Sequence, residues 1–268
     1  LQVSSFFGKL AGMKLVALNA SYRGDAGHTR VLLDHLAAGA SESGANFEII
    51  TLAKHKINRC LDCGKCHTPE HYLECVQAGK DEVAWIFEKM ASADLLVYAS
   101  PVYVFGISGL MKIFIDRFYS TSDIHQMRLT RSGLFFHHVG EAICAKPFVS
   151  LICCDNLDPE MPRNARQYFR AFASFMGAPH VGELIRTGGR LFAYGRDPQA
   201  VQRFPKIRDV YAAYRQAGRE LAARGCISPA TQRKANQEII PVPFFGLLKH
   251  LKPFKRVMVA KAQEYFAG

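Results

Sequence analysis

The sequence predicts an α/β domain over residues 13–225, built on a five-stranded parallel sheet with helices on both faces and followed by a C-terminal arm at 226–268. Three observations carry that expectation. Short strand-like apolar runs alternate with longer segments of helical periodicity, the pattern of strands joined by crossover helices. One run, "DLLVYASP", is almost wholly apolar, as a strand covered on both faces must be. Beyond Cys226 the alternation stops, and prolines, aromatics and basic residues take over. At 268 residues the chain can bury a sizeable core.

Taken in order, Lys14 to Ala20 reads as the first strand. "HTRVLLDHLAAGASES" reads as a helix with Val31, Leu32, Leu33 and Leu36 on its inner face. "NFEIITL" is the second strand, and a cysteine-bearing loop at 54–79 follows it. In "KDEVAWIFEKMASA" the residues Val83, Ile86, Phe87 and Met90 recur at helical spacing. The third strand, Asp94 to Pro101, is expected to end at its proline, and Ser108 to Ser120 is the next helix. A looser segment carries Phe135, Phe136, His137 and His138. "KPFVSLICC" then gives the fourth strand, Arg163 to Met176 a helix, "HVGELI" the fifth strand, and about Pro198 to Arg224 the closing helix.

With 49% hydrophobic and 21% charged residues the composition is that of a globular protein, and no uncharged run approaches the roughly 18 residues of a membrane span. The apolar run after Met13 is short and gives way to a polar turn, so a signal peptide is not expected and the cytoplasm is the expected compartment. There disulfides seldom persist, and clustered cysteines act as ligands or redox groups. The formal charge of +11 is spread over helical segments, without the basic block or interleaved aromatics of a nucleic-acid module. A solvated basic face is the expectation, and nucleic acid is not an expected partner.

In an open parallel sheet, the loops leaving the carboxyl ends of the strands form the ligand crevice. The first, Asn19 to Arg30, offers the hydroxyls of Ser21 and Thr29, the guanidinium of Arg23, and Gly24 and Gly27 ahead of a helix N-terminus, where an anion can bind. It carries no GxxxxGK[ST] pattern, so triphosphate hydrolysis is not suggested. An ordinary capped turn, with His28 as a cap or surface residue, is the alternative. The second loop, Ser100 to Gly109, joins a rigid proline to Tyr103, Phe105 and Gly106. It suits a flat ligand, or equally an aromatic core turn. The third, Cys153 to Asn156, is expected beside the other two, which makes Cys154 and Asp155 candidates for the same ligand.

Four of the eight cysteines, Cys60, Cys63, Cys66 and Cys75, follow the spacing C-x2-C-x2-C-x8-C. The spacing of the first three cysteines is that of a bacterial ferredoxin run, so a [4Fe–4S] cluster is the leading reading. Lys54, Lys56, Arg59 and Lys65 would offset the negative charge of four thiolates. Zinc, with His67 or His71 as a further ligand, and reversible redox thiols are the alternatives. Cys144, Cys153, Cys154 and Cys226 read as small buried hydrophobes.

The order of "LNASYRGDAGHTRVLL", a cysteine-bearing stretch and "ASPVYVFGISGLMKIFIDRF" resembles the NADPH-dependent FMN reductase group, which has a flavodoxin-like fold. The cysteine run is similar to that of its iron–sulfur flavoprotein branch, although there the gap before the last cysteine is usually shorter. The resemblance spans Met13 to Ile185. It implies FMN, with Ser21, Arg23, His28 and Thr29 around its phosphate and Pro101, Val102, Tyr103, Phe105 and Gly106 along its ring. Tyr22 stands where the group usually has Pro, and His28 where it usually has Asn. Also implied are NAD(P)H as electron donor, a small-molecule or protein acceptor, and a homo-oligomer with FMN near a subunit interface. A cluster-free FMN or quinone reductase and a non-enzymatic electron carrier or redox sensor are the rival functions. In the arm, Phe244, Phe245, Leu247, Leu248, Leu251 and Phe254 among Lys249, Lys252, Lys255 and Arg256 are expected to pack on the core or a second subunit. An anionic membrane is the alternative, disfavoured because prolines interrupt a long amphipathic helix.

Overall fold

In a computed structural model of the chain, which describes residues 12–130, 132–193, 201–202, 204–239 and 250–267, the apolar runs pair as expected. The strands in chain order are β1 (Lys14–Asn19), β2 (Asn46–Thr51), β3 (Leu95–Tyr103), β4 (Gly106–Ile107), β5 (Asp123–Leu129), β6 (Phe135–His138), β7 (Phe148–Cys153) and β8 (His180–Arg186). Strands β2-β1-β3-β7-β8 lie side by side in that order and run parallel. The chain reverses its direction of travel across the sheet between β1 and β3, and the crevice outside their carboxyl ends is where such sheets take ligands. Register brings the relevant loops to one edge: Asn19 lies opposite Ala99, and Pro101 opposite Cys153.

Pro101 does not end the third strand. Pairing with β1 stops at Ala99, so a missing N–H beyond that point costs no bond there. The strand runs on to Tyr103 and folds back antiparallel through β4. The looser segment is likewise a hairpin, in which β5 and β6 pair antiparallel.

The helices are α1 (His28–Glu42), α2 (Val83–Ala91), α3 (Gly109–Asp116), α4 (Glu141–Cys144), α5 (Arg163–Met176), α6 (Arg190–Ala193), α7 (Lys206–Arg224), α8 (Pro229–Ala235) and α9 (Lys252–Ala267). Residues 198–200 of the expected closing helix lie outside the described residues. Helices α1 and α7 meet backbone to backbone: a Cβ on Gly39 would fall 1.9 Å from the Arg215 carbonyl oxygen, and one on Gly218 2.0 Å from that of Leu36. On the opposite side of the sheet, Tyr98, Phe114, Phe118, Phe148, Phe169 and Phe172 form an aromatic core.

The chain divides into two compact units after Gln237. Residues 226–237, expected in the arm, belong to the first unit and finish its sheet. Gln232 Oε1 accepts the Glu183 N–H at 2.7 Å, and Asn236 bridges the Ile185 N–H and the Glu183 carbonyl at 2.7 and 2.9 Å. Side chains of α8 thereby occupy backbone groups that an edge strand otherwise leaves open. In the second unit, α9 is the described element, while Phe244, Phe245, Leu247, Leu248 and Lys249 lie outside the described residues.

Candidate functional site

Ser21, Arg23, His28, Thr29, Pro101, Val102, Tyr103, Cys153, Cys154 and Asp155 line one cleft at the sheet edge. The first loop is shaped by Asn19, whose amide donates to the Gly24 carbonyl and accepts the Ser21 N–H, both at 3.2 Å. Gly24 sits at φ +56°, and a Cβ on Gly27 would lie 2.4 Å from Ser21 Oγ, so both positions require glycine. The loop is anchored from below by Asp25, which accepts from Arg30, Thr51 and Lys54. Those bonds, from Lys54 first and then Thr51, hold its carboxyl down at about 2.

His28 opens α1 and ties the first loop to the third. Its Nδ1 lies 2.9 Å from Asp155 Oδ1, and its Nε2 lies 3.3 Å from Arg23 Nη1. Because arginine only donates, Nε2 accepts and Nδ1–H donates to the carboxylate. Asp155 is held below the usual carboxylate range by that hydrogen bond first, with the charges of Arg23 and Arg190 adding to it. The cleft therefore joins hydroxyls, a guanidinium and the free N–H groups of a helix start, a donor set that suits a phosphate dianion. Burial pushes the Cys154 thiol up to about 12 and raises Cys153 further, so both present uncharged sulfur to the cleft.

The second loop is a two-residue turn with Val104 at φ +46° and Phe105 at φ +69°. Neither is glycine. A β-branched residue in the left-handed region stores strain of roughly 1–3 kcal/mol, of the kind that accumulates at ligand-binding positions. Val104 is 90% exposed, and Phe105 and Gly106 stay outside the lining of the cleft. Ser100 Oγ accepts the Ser108 N–H at 2.9 Å, and Ser108 Oγ caps α3 by accepting from Met111, which fixes the hairpin base. Tyr22, to which the sequence assigned no contact, stacks on Tyr103 with centroids 6.0 Å apart and planes at 21°.

Cys60, Cys63, Cys66 and Cys75 line a second, smaller cavity together with Arg117, Tyr119 and Ser120. None of the four is in a disulfide, and Cys66 is the most buried. Its thiol is raised by burial first and then by the nearby Cys75, Cys60 and Cys63 sulfurs. The long gap before Cys75 is taken up by short turns at Lys65–His67 and Pro69–His71, after which the Leu73 N–H returns to the Cys66 carbonyl at 2.8 Å. Among the described residues, no three His, Cys, Asp or Glu side chains stand at the spacing of a single-ion site. His67 turns both ring nitrogens into buried positions without a partner and packs edge-on against Tyr119 at 4.5 Å.

Lys54, Lys56, Arg59 and Lys65 are all exposed, and none lines the cavity. Among the described residues, the cationic side chain that does is Arg117, 3% exposed and paired with Asp81, itself 1% exposed. Arg117 follows the last residue of α3, inside a segment that the sequence assigned to an apolar helix. A lone arginine in such a helix was the available signal.

The pattern of the NADPH-dependent FMN reductase family matches residues 13–140. The Bacillus subtilis protein YwqN, named for NAD(P)H-dependent FMN-containing oxidoreductase activity, is 32% identical over 189 residues, spanning 70% of this chain and 93% of that protein. An iron-sulfur flavoprotein of Methanocaldococcus jannaschii is 32% identical over 109 residues, 39% of this chain and 51% of the relative. The chain spans about half the length of the iron–sulfur flavoproteins it matches. An FMN-dependent NADH-azoreductase from Bacillus anthracis, solved in complex with FMN, superposes with a TM-score of 0.54 at 16% identity, over 78% of this chain and 99% of that one. That likeness is one of fold.

Proposed function

Because the chain belongs to the NADPH-dependent FMN reductase family, we propose that it is an FMN-dependent oxidoreductase fed by NAD(P)H, with a [4Fe–4S] cluster on Cys60, Cys63, Cys66 and Cys75. The observation that carries the reading is the cleft itself, in which three loops distant in sequence bring phosphate donors and an aromatic hairpin to one sheet edge. When bound, FMN supplies two-electron chemistry with the nicotinamide, and the cluster supplies one-electron transfer toward an acceptor.

The chain's own residues bind and orient. Ser21, Thr29, Arg23 and the first N–H groups of α1 hold the phosphate, with His28 locked by Asp155 so that Arg23 is presented to the ligand. Pro101, Val102 and Tyr103 line the ring, and Tyr22 stacks on Tyr103. Phe105 and Gly106 form the outer rim of the hairpin. Cys154 contributes an uncharged wall rather than a nucleophile. No side-chain nucleophile is required, and binding and orientation are the protein's part.

The four thiols fit the cluster on donor chemistry, since all of them face one cavity beside a buried cation. Exposed Val104, Phe105, Leu129 and Phe135 support a homo-oligomer, because apolar side chains raised at hairpins are covered when a second copy docks. Among the described residues no helix is long and apolar enough to cross a membrane. The acceptor is a small molecule or a partner protein.

The test is a visible spectrum of anaerobically purified protein, with flavin, iron and acid-labile sulfide assayed on the same sample. Flavin bands over broad absorbance, with about four irons per chain, are the expected result. Flavin without iron, in protein never exposed to oxygen, overturns the cluster and leaves a cluster-free reductase. Failure of both NADH and NADPH to reduce the flavin, with reduction by a ferredoxin-type donor, replaces the enzyme by an electron carrier.

A further inference from the structure

We propose that Arg117 sets the reduction potential of the cysteine-held centre, donating its Nε–H to a sulfur there while its charge lies buried alongside; this rests on the reading that the four cysteines hold a [4Fe–4S] cluster. The residue lines the cysteine cavity and is 3% exposed. Its Nη1 donates to the Asp81 carboxylate and to the Asn58 carbonyl, the latter at 2.9 Å. Its Nε is buried and has no hydrogen-bond partner among the described residues. A buried charged donor left unpaired is costly, and folded proteins seldom tolerate one without an unrepresented acceptor.

The guanidinium is also clamped. Asp81 accepts the Asn58 N–H at 3.0 Å and the Val83 N–H at 3.3 Å besides Arg117, so the carboxylate that holds the arginine is itself held at the start of α2. Asp81 does not line the cavity, whereas Arg117 does, so of this neutral pair it is the positive end that faces the sulfurs. Reduction of a four-thiolate cluster adds one electron, and hence one negative charge, with no proton taken up. A fixed cation and an N–H donor beside the sulfurs favour that reduced form and raise the potential. None of the exposed lysines of the loop lines the cavity, so none can take this role at comparable strength.

Two measurements on anaerobically prepared holoprotein test the assignment. In the first, wild-type protein carrying ¹⁵N-arginine is reduced and its paramagnetic cluster examined by pulsed electron paramagnetic resonance. An arginine nitrogen coupling is expected, changing isotope with the label and disappearing in Arg117→Lys. In the second, the cluster is titrated in wild type and in the double variant Arg117→Gln with Asp81→Asn, which avoids leaving a buried carboxylate unpaired. At the wild-type midpoint the variant's oxidised-to-reduced ratio should rise about tenfold, which is about 59 mV for one electron. Iron-loaded wild type with no arginine coupling, or a loaded double variant titrating with wild type, overturns the role of Arg117. Wild type without iron overturns the cluster itself, and that result is read from the iron assay alone.

Discussion

Around the sheet-edge cleft Asn19 bonds to the first loop and His28 to Asp155 and Arg23, whereas the His67 ring of the cysteine stretch and the Nε of Arg117 beside it are buried without partners among the described residues. The cleft grows from strand ends whose register is set by a parallel sheet, so folding the core assembles it. The cysteine stretch, between Thr51 and Val83, has short turns but neither strand nor α-helix. Its backbone takes left-handed geometry at Asp62, Gly64 and Leu73. Folding of the core thus assembles the cleft, whereas the proposed cluster would complete the cysteine stretch.

The largest effect should come from the cavity. Cys66→Ser removes its most buried sulfur and should abolish iron binding while the flavin content stays at the wild-type level, as read by parallel iron and flavin assays. Loss of both in proportion would break the comparison, because it would make the cleft depend on the cluster. Next is Gly27→Ala, whose added methyl group meets Ser21 Oγ. Overpacking there should cost about 1–3 kcal/mol of FMN affinity, about fivefold or more in Kd by fluorescence titration, with iron content unchanged. Unaltered FMN affinity would remove the first loop from the site.

The strained hairpin offers a smaller change of opposite sign. Replacing Val104 by Asn and Phe105 by Gly gives the turn residues that its positive φ values favour, and should raise stability by about 1 kcal/mol in thermal unfolding. Nicotinamide-dependent flavin reduction should slow, since the aromatic rim is lost.

The smallest effect joins the two regions, because Asp25 in the cleft's first loop holds Lys54 at the start of the cysteine stretch. Its folded carboxyl lies near 2 against an ordinary 3.8, so the contribution is complete above the ordinary value and is lost as the pH falls through that window. Lys54 is 62% exposed, and solvent screening keeps the effect under about 1 kcal/mol. Asp25→Asn should flatten acid unfolding between those pH values. An unchanged acid limb would mean that the bond contributes nothing.

Much of the cleft was legible in the sequence because loops that follow strands of one parallel sheet emerge on one edge whatever their separation along the chain. Ser21, Arg23, His28, Thr29, Pro101, Val102, Tyr103, Cys154 and Asp155 therefore line one cleft. The resemblance also implies Phe105 and Gly106 along the ring, and these two are not among the residues that line the cleft. Two more strand residues and a tight reversal carry them past it. The charge facing the cysteines is expected from Lys54, Lys56, Arg59 and Lys65, but these side chains are exposed and none lines the cavity.

Strand and helix order, the edge that binds ligand and the spacing of the thiols follow from patterns local in the sequence, since periodicity reports which side of each element meets the core. Tertiary packing alone decided the rest. It brought Arg117 onto Asp81 across 36 positions, and His28 onto Asp155 across 127. It set Gly39 and Gly218 where two helix backbones touch, and turned Gln232 and Asn236 onto the open edge of β8. Each of these is a contact between groups that no short window contains together, and each exists because close packing of the core brings distant parts of the chain side by side.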